Sequence, residues 1–565
     1  MKKSILHLII TLVIILAVNL IADSWFFRID LTSEKRYTLT NITKAFIKSL
    51  DEDILIKVYL SGDLNPGFKR LSKATKEMLD EFEVSSSSLQ YDFIDPGEGT
   101  KKEKKTFAEY LEKMGLQPYP VIETKEDGRK TQSYVFPYAI IYLNGKEIPV
   151  NLLDNIQGVS GQENLNRSIE GLEFKLINTL RKLVIKEKPA IAFLEGHGEL
   201  DELDVIDITH ELSQNYRVER GQLSGDVTEL NNYKAIIIAK PHKPFSEKDK
   251  FVIDKYLMQG GSILWLVDAV NITLDSLIKS TQTMGVWAQL NLDDILFRYG
   301  VRINPVLIED IQAGRIPINL APTGSTPKFV PVPWLYSPLL IPSQSSPVSR
   351  NINLVRADFA SYIDTVGENL QLIRTPLLRT SQFTKTTQVP VLVTLASVNQ
   401  KPRKEEFNKS FLPVAYSLQG KFPSVFANRP VPKGIKNNTD TSTPLSRSTK
   451  MIVVADGDII RNDVKFKDSN PRILPLGYDE LTHQTYGNKQ FIINAIDYLC
   501  DDEGWMELRS RSFTLRLLDK EKLSSETSFW KWINVIIPVL MVVILGIIFI
   551  FIRKKRYTKK RMKKN

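Results

Sequence analysis

The chain has a single cysteine, Cys500, in 565 residues, and only five histidines. One cysteine excludes an internal disulfide framework, a cysteine-based metal cluster and Cys-x-x-Cys redox chemistry. No Gly-x-x-x-x-Gly-Lys-Ser/Thr loop is present, so the chain does not itself hydrolyse ATP through a P-loop. There is no Gly-x-Ser-x-Gly elbow and no His-Glu-x-x-His helix. Tandem repeats are lacking, and low complexity is confined to the Ser85–Ser88 loop and a basic tail. With 42% hydrophobic and 25% charged residues, the main body is folded rather than disordered.

Acidic residues are missing from both ends. Lys2 and Lys3 precede an apolar run from Ile5 to Ile21, and nine Lys and Arg from Arg553 to Lys564 follow a second run from Ile533 to Ile552. These flanks hold eleven of the 75 Lys and Arg, which leaves 64 against 65 Asp and Glu between them. The +10 charge therefore belongs to membrane flanks, and nucleic acid is excluded as a partner.

The second run is the stronger membrane signal. Its 20 uncharged residues would span about 30 Å as a helix, the thickness of a hydrocarbon layer. Trp530 and Trp532 precede it as interfacial aromatics, and the basic cluster after it marks the cytoplasmic side. Pro538 lies in its first turns, where a lost backbone bond costs least. The first run could be the core of a signal peptide, with Ala22-Asp23-Ser24 as a poor cleavage site. Its 17 residues exceed such a core, and Trp25-Phe26-Phe27 resembles an interfacial belt, so a retained anchor is expected. Both termini would then be cytoplasmic, with two spans bracketing a periplasmic body at the bacterial inner membrane.

Periodicity divides that body. After a cytoplasmic stub and anchor (1–23), residues 24–187 read as a first α/β domain. Ile54, Ile56 and Val58 alternate as a strand, and Phe68, Leu71, Met78, Leu79 and Phe82 follow at helical spacing. Leu89, Tyr91 and Phe93 alternate again, a helix is expected near 103–114, and Asn144-Gly145 signals a hairpin. Leu165 to Leu183 reads as one long amphipathic helix. The order is compatible with a thioredoxin-like layout. From 188 to 300, the apolar strands Ala190–Leu194, Ala235–Ala239 and Ser262–Val267 alternate with helices near 202–214 and 246–259, the pattern of a doubly wound parallel sheet. Residues 301–450 hold 17 of the 29 prolines and read as a β-rich insertion or a mobile partner-binding segment. The α/β pattern resumes over 451–529 with Met451–Ala455 and a closing helix ending at Cys500. The span (530–552) and basic tail (553–565) follow.

Ligands of open parallel sheets bind outside the carboxyl ends of the strands. That places Glu195-Gly196-His197-Gly198-Glu199 at such an edge, with Asp456 and Asp458 ending another strand. Glu195, His197, Glu199, Asp456 and Asp458 are the candidate ligand-binding residues, able to take part in proton transfer or to bind a metal. The same glycine-flanked acids suit a strand-to-helix turn, and that structural reading is the favoured one. No catalytic residue, resident metal or cofactor is assigned.

Several segments together point further. Leu31-Thr32-Ser33-Glu34-Lys35-Arg36-Tyr37-Thr38-Leu39-Thr40, Val58-Tyr59-Leu60-Ser61-Gly62-Asp63, Phe193 to Glu199, Val454 to Asp458 and Gly487-Asn488-Lys489-Gln490-Phe491, with the terminal anchor, occur in an order that resembles ABC-transporter auxiliary proteins. The likeness is greatest to the gliding-motility-associated members of that family. It implies a flavodoxin-like, class I glutamine-amidotransferase-like central domain without that activity, because the active relatives' nucleophilic cysteine is missing from the sheet. Ser346-Pro347-Val348-Ser349 stands where a His-Pro-Ile-type motif is expected, so no histidine role carries over there. The implied partners are a multi-pass ABC permease and a cytoplasmic ABC ATPase, with this chain as their non-catalytic envelope-exposed subunit. The alternatives are a solute- or glycan-binding envelope receptor, with Trp334 and Tyr336 as stacking platforms, and an envelope hydrolase acting through Glu195, His197 or Glu199.

Overall fold

In the first α/β domain the local signals act as expected. A computed structural model of the chain describes residues 38–124, 130–185, 187–319, 328–367, 371–399, 401–437, 443–467, 470–511 and 525–561, with isolated positions 10, 13 and 326. Apart from positions 10 and 13, the first apolar run lies outside them, as does most of the Leu31–Thr40 segment. The chain forms two compact units, Met1–Ser512 and Phe513–Asn565, and the first of them holds two separate hydrophobic cores, those of a first and a second domain.

The first domain runs α1 (Asn41–Lys48), β1 (Ile54–Val58), α2 (Pro66–Ser85), β2 (Leu89–Phe93), α3 (Lys101–Lys113), the hairpin β3–β4 (Tyr119–Thr124, Lys130–Val135), β5 (Tyr138–Leu143), β6 (Lys146–Asn151), α4 (Gly161–Glu170) and α5 (Leu172–Val184). The Asn65 side chain accepts from Phe68 N–H, and Pro66 presets the first turn of α2. Thr100 and Glu103 close a capping box on α3. Asn144 and Gly145 take φ values of 51° and 76°, as the tight β5–β6 turn requires. The sheet order is β2-β1-β5-β6, with β1 and β2 parallel and the other pairs antiparallel. One expectation fails. The single long helix over 165–183 is two helices, α4 and α5, parted at Gly171, whose N–H closes the last turn of α4 on Arg167 O. Glycine is the weakest helix former after proline, so the apolar stripe continues while the helix does not.

The second domain begins with β7 (Ala190–Glu195), α6 (Ile206–Ser213), β8 (Arg217–Gln222), β9 (Ala235–Ala239), α7 (Glu247–Met258), β10 (Ser262–Leu266), β11 (Val270–Asn271), α8 (Leu274–Ser280), β12 (Gln282–Trp287) and α9 (Asp293–Arg298). Ten strands follow: β13 (Val301–Ile303), β14 (Val306–Asp310), β15 (Ala313–Asn319), β16 (Phe329–Pro342), β17 (Val355–Arg356), β18 (Ile363–Thr365), β19 (Leu372–Arg379), β20 (Thr384–Gln388), β21 (Val391–Thr394) and β22 (Pro413–Gly420). Then come β23 (Thr449–Val454) and α10 (Asn488–Leu499). Strands β8-β7-β9-β10-β23 are mutually parallel, the order 2-1-3-4-5 when numbered along the chain. Every residue of β9 and β10 is buried, as in a sheet covered on both faces. Helices α6 and α10 pack together on one face, and the reversed crossover direction of β9–α7–β10 puts α7 on the other. Strand β8, Arg-Val-Glu-Arg-Gly-Gln, escapes the periodicity because it is a polar edge strand recruited through its backbone.

Residues 301–450 do not hang off this sheet; they extend it. β22 pairs antiparallel with β23, and β19, β16 and β15 continue outward, satisfying backbone groups that β23 would otherwise leave unpaired. Trp334 and Tyr336 are 1% and 8% exposed, ring centroids 5.3 Å apart, in a satellite core with Phe359. They are packing residues, not open stacking platforms.

Beyond α10 the chain returns to the first domain. Cys500 ends the helix with its thiol pushed upward by burial. A 3-10 turn, Trp505–Ser510, then inserts Trp505, Met506 and Leu508 into the core built by α1, α5 and the first sheet. The other unit contains α11 (Thr527–Arg561), the one helix among the described residues long and apolar enough to cross a membrane.

Candidate ligand site at the carboxyl edge of the sheet

The loop after β7 is built by two glycines. Gly196 and Gly198 have φ of 118° and 73°, and a Cβ on Gly198 would lie 2.4 Å from the His242 ring. Between them His197 turns inward, 6% exposed, its ring stacked on Phe245 at 3.6 Å. Its Nδ1 meets Glu199 Oε1 at 3.1 Å and its Nε2 meets Asp249 Oδ2 at 3.2 Å. Burial works against the charged imidazole, but the Asp249 and Glu199 carboxylates outweigh it and push the pKa up to about 9. At neutral pH His197 is thus an imidazolium donating from both nitrogens. Asp249, at the start of α7, is held below its usual range: burial opposes this, and His197 and Ser246 outweigh it.

Glu195 turns the other way, toward β8. Its Oε1 accepts from Arg220 Nε at 2.7 Å, and Arg220 Nη2 donates to Leu200 O at 2.9 Å. The two outer acids of the motif therefore diverge, one fixing the β7–β8 edge and the other fixing His197.

Asp456 and Asp458 end β23 at the same edge. Asp456 is fully buried; its oxygens accept from Asp458 N–H at 2.6 Å and Asp358 N–H at 2.7 Å. Burial, then the Asp458 and Asp268 carboxylates, push its carboxyl well above the usual range. Asp458 pairs with Lys240, whose Nζ also lies 3.2 Å from Asp268 Oδ2. Lys240 follows β9 directly, with φ of 55°, and Asp268 follows β10 after Val267. Arg461 links Asp204 at 3.0 Å and Asp275 at 3.1 Å.

A cleft of about 650 Å³ opens over these strand ends, in the size range of small-molecule sites. Glu199, Asp204, Lys240, Asp268, Trp287 and Arg461 line it. Of the five residues singled out in the sequence, Glu199 alone reaches its wall; Glu195, His197, Asp456 and Asp458 brace it from behind. Periodicity missed Lys240, Asp268, Trp287 and Arg461. The first two had a readable signal, since each closely follows a buried apolar strand, whereas Trp287 and Arg461 arrive only through tertiary packing. Among the described residues no group of three or more His, Cys, Asp or Glu is arranged to hold a metal ion.

Comparison with known proteins places the chain in a family. The family model described as an ABC-type uncharacterized transport system matches residues 188–495, and a domain of unknown function matches residues 33–142. An uncharacterized protein of Borreliella burgdorferi is 20% identical over 568 residues, covering 99% of both chains. A solved structure, the mmIFT52 N-terminal domain, aligns with 56% of this chain and 98% of its own at 13% identity, with a TM-score of 0.31, too low to support an argument. The transport-system match takes in more than half of the chain, from the strand before the glycine loop to the closing helix, and the protein belongs to the ABC-type transport-system auxiliary family.

Proposed function

We propose that the chain is the non-catalytic, membrane-anchored extracytoplasmic subunit of an ABC transporter-type complex, linking a multi-pass permease and a cytoplasmic ABC ATPase to the cell envelope. The family match over 188–495 carries this reading, and the apolar helix α11 supports the membrane attachment. In it both termini are cytoplasmic, the first apolar run is a second anchor and the body is periplasmic. The 2-1-3-4-5 strand order supports a flavodoxin-like, amidotransferase-like assignment for the second domain, and the β2-β1-β5-β6 order a thioredoxin-like one for the first. A place in gliding motility rests on the ordered motifs alone. The polar groups at the carboxyl edge are largely consumed in fixed pairs, which favours a scaffold over a hydrolase.

Affinity purification of the tagged full-length chain from gently solubilised native membranes tests this. An ABC ATPase and a polytopic permease should co-elute in constant ratio; their absence sinks the subunit reading.

The cleft favours a second reading, a solute- or glycan-binding receptor. Trp287, 48% exposed at its rim, supplies the aromatic face that Trp334 and Tyr336 do not. Saturable binding of envelope saccharides, lost in Trp287→Ala, is the expected sign; no binding by the wild type rejects it.

A further inference from the structure

Thr38 and Arg511, 473 residues apart in the chain, are in contact. Arg511 Nη2 donates to the Thr38 carbonyl at 3.3 Å, and Nη1 pairs with Glu173 Oε2. The other Glu173 oxygen accepts from the Thr40 backbone N–H and hydroxyl, both at 2.9 Å. Glu173 is 4% exposed and lies in the first turn of α5, where the helix dipole favours a carboxylate. Packing reinforces the junction. Trp505 lies under the Arg181 guanidinium at 4.4 Å and edge-on to Phe46 of α1 at 5.4 Å. The segment leading in from the first apolar run and the segment leading out toward the second are both fastened to α5 through one carboxylate.

We propose that Glu173 is a latch, a positioning residue that joins these two segments so that motion of either reaches the first domain as a single input. The inference rests on the anchored-subunit reading. Charge-assisted hydrogen bonds are short and directional, and they fail within about an ångström of separation. A buried carboxylate stripped of its partners is costly, so opening is all-or-none rather than elastic. Such a two-state element is what a distant ATP-driven motion can bias.

The test is hydrogen-exchange mass spectrometry of the full-length chain in lipid nanodiscs. Glu173→Gln should speed exchange of residues 38–48 and 505–511 together, on the order of a hundredfold, and leave β7, β9 and β10 unchanged. Arg511→Lys keeps the charge but loses the fork, and should give a smaller rise in the same two segments. No change, or a rise in one segment alone, overturns the latch. In the purified complex, wild type should show a nucleotide-dependent change in exchange at both segments, and Glu173→Gln should keep its partners but lose that response. A wild-type complex without the response overturns the coupling. A chain that retains no ABC partner overturns the subunit reading instead, and the nanodisc exchange still decides the latch.

Discussion

Arg511 is ion-paired with Glu173 across 338 residues of chain, and that contact closes the first domain with residues from beyond the second. Trp505, Met506 and Leu508 belong to the same core as Ile56, Phe82 and Leu180. The first domain is thus contiguous in sequence only in part.

A fragment of residues 24–187 should therefore fail to reach a fixed fold. Leaving the Trp505 site empty removes a burial comparable to a Trp→Ala change, about 3–5 kcal/mol, and leaves the Glu173 carboxylate without Arg511. Poor amide dispersion for the fragment, sharpened when residues 500–512 are appended through a flexible linker, is the expected result. A well-dispersed spectrum of the fragment alone would refute it.

Stability of the second domain should depend on His197. Its folded pKa of about 9 stands above the usual 6.5, so its contribution is complete below about pH 6.5 and lost as pH rises through 9. The contribution is at most about 3 kcal/mol, and solvent screening of the pair reduces it. Urea midpoints measured from pH 6 to 10 should fall for wild type, and much less for His197→Gln.

Gly198→Ala should destabilise by two separable routes. At φ of 73° any side chain costs roughly 1 kcal/mol, and the new Cβ strikes the His242 ring. Adding His242→Ala should recover the steric part and leave the backbone part, as read from denaturation midpoints.

Lys240→Met leaves Asp268 and Asp458 without their shared cation and should cost about 3–5 kcal/mol. Adding Asp268→Asn should restore part of that loss. If Lys240→Met is neutral by chemical denaturation, the strand-end cluster is not an interdependent unit.

Membrane attachment through both apolar runs predicts a simple pattern. Deleting residues 527–565 should leave the chain in the carbonate-washed membrane fraction, and deleting residues 1–23 as well should release it. Release by the first deletion alone would show that the N-terminal run is not retained.

Sequence periodicity made much of the scaffold legible because its signals are local. Ile54, Ile56 and Val58 specify a half-buried strand by alternation, Ala235–Ala239 a fully buried one by an unbroken apolar run, and Ser246 a helix start through its own hydroxyl. The glycine loop was legible as a strand-end turn for the same reason. The direction in which Glu195 and His197 point was not, because it depends on Arg220 and Asp249, which are distant in sequence.

The sequence by itself determined the two apolar runs, the charge that flanks them, the alternation of strands and helices and the lack of catalytic motifs, since each depends on composition or short spacing. Only the tertiary structure decided that residues 301–450 extend the sheet, that Lys240, Asp268 and Arg461 meet over the strand ends, and that Thr40 and Arg511 share one carboxylate. Those outcomes turn on long-range pairing of backbone edges and buried charges, which no local pattern encodes.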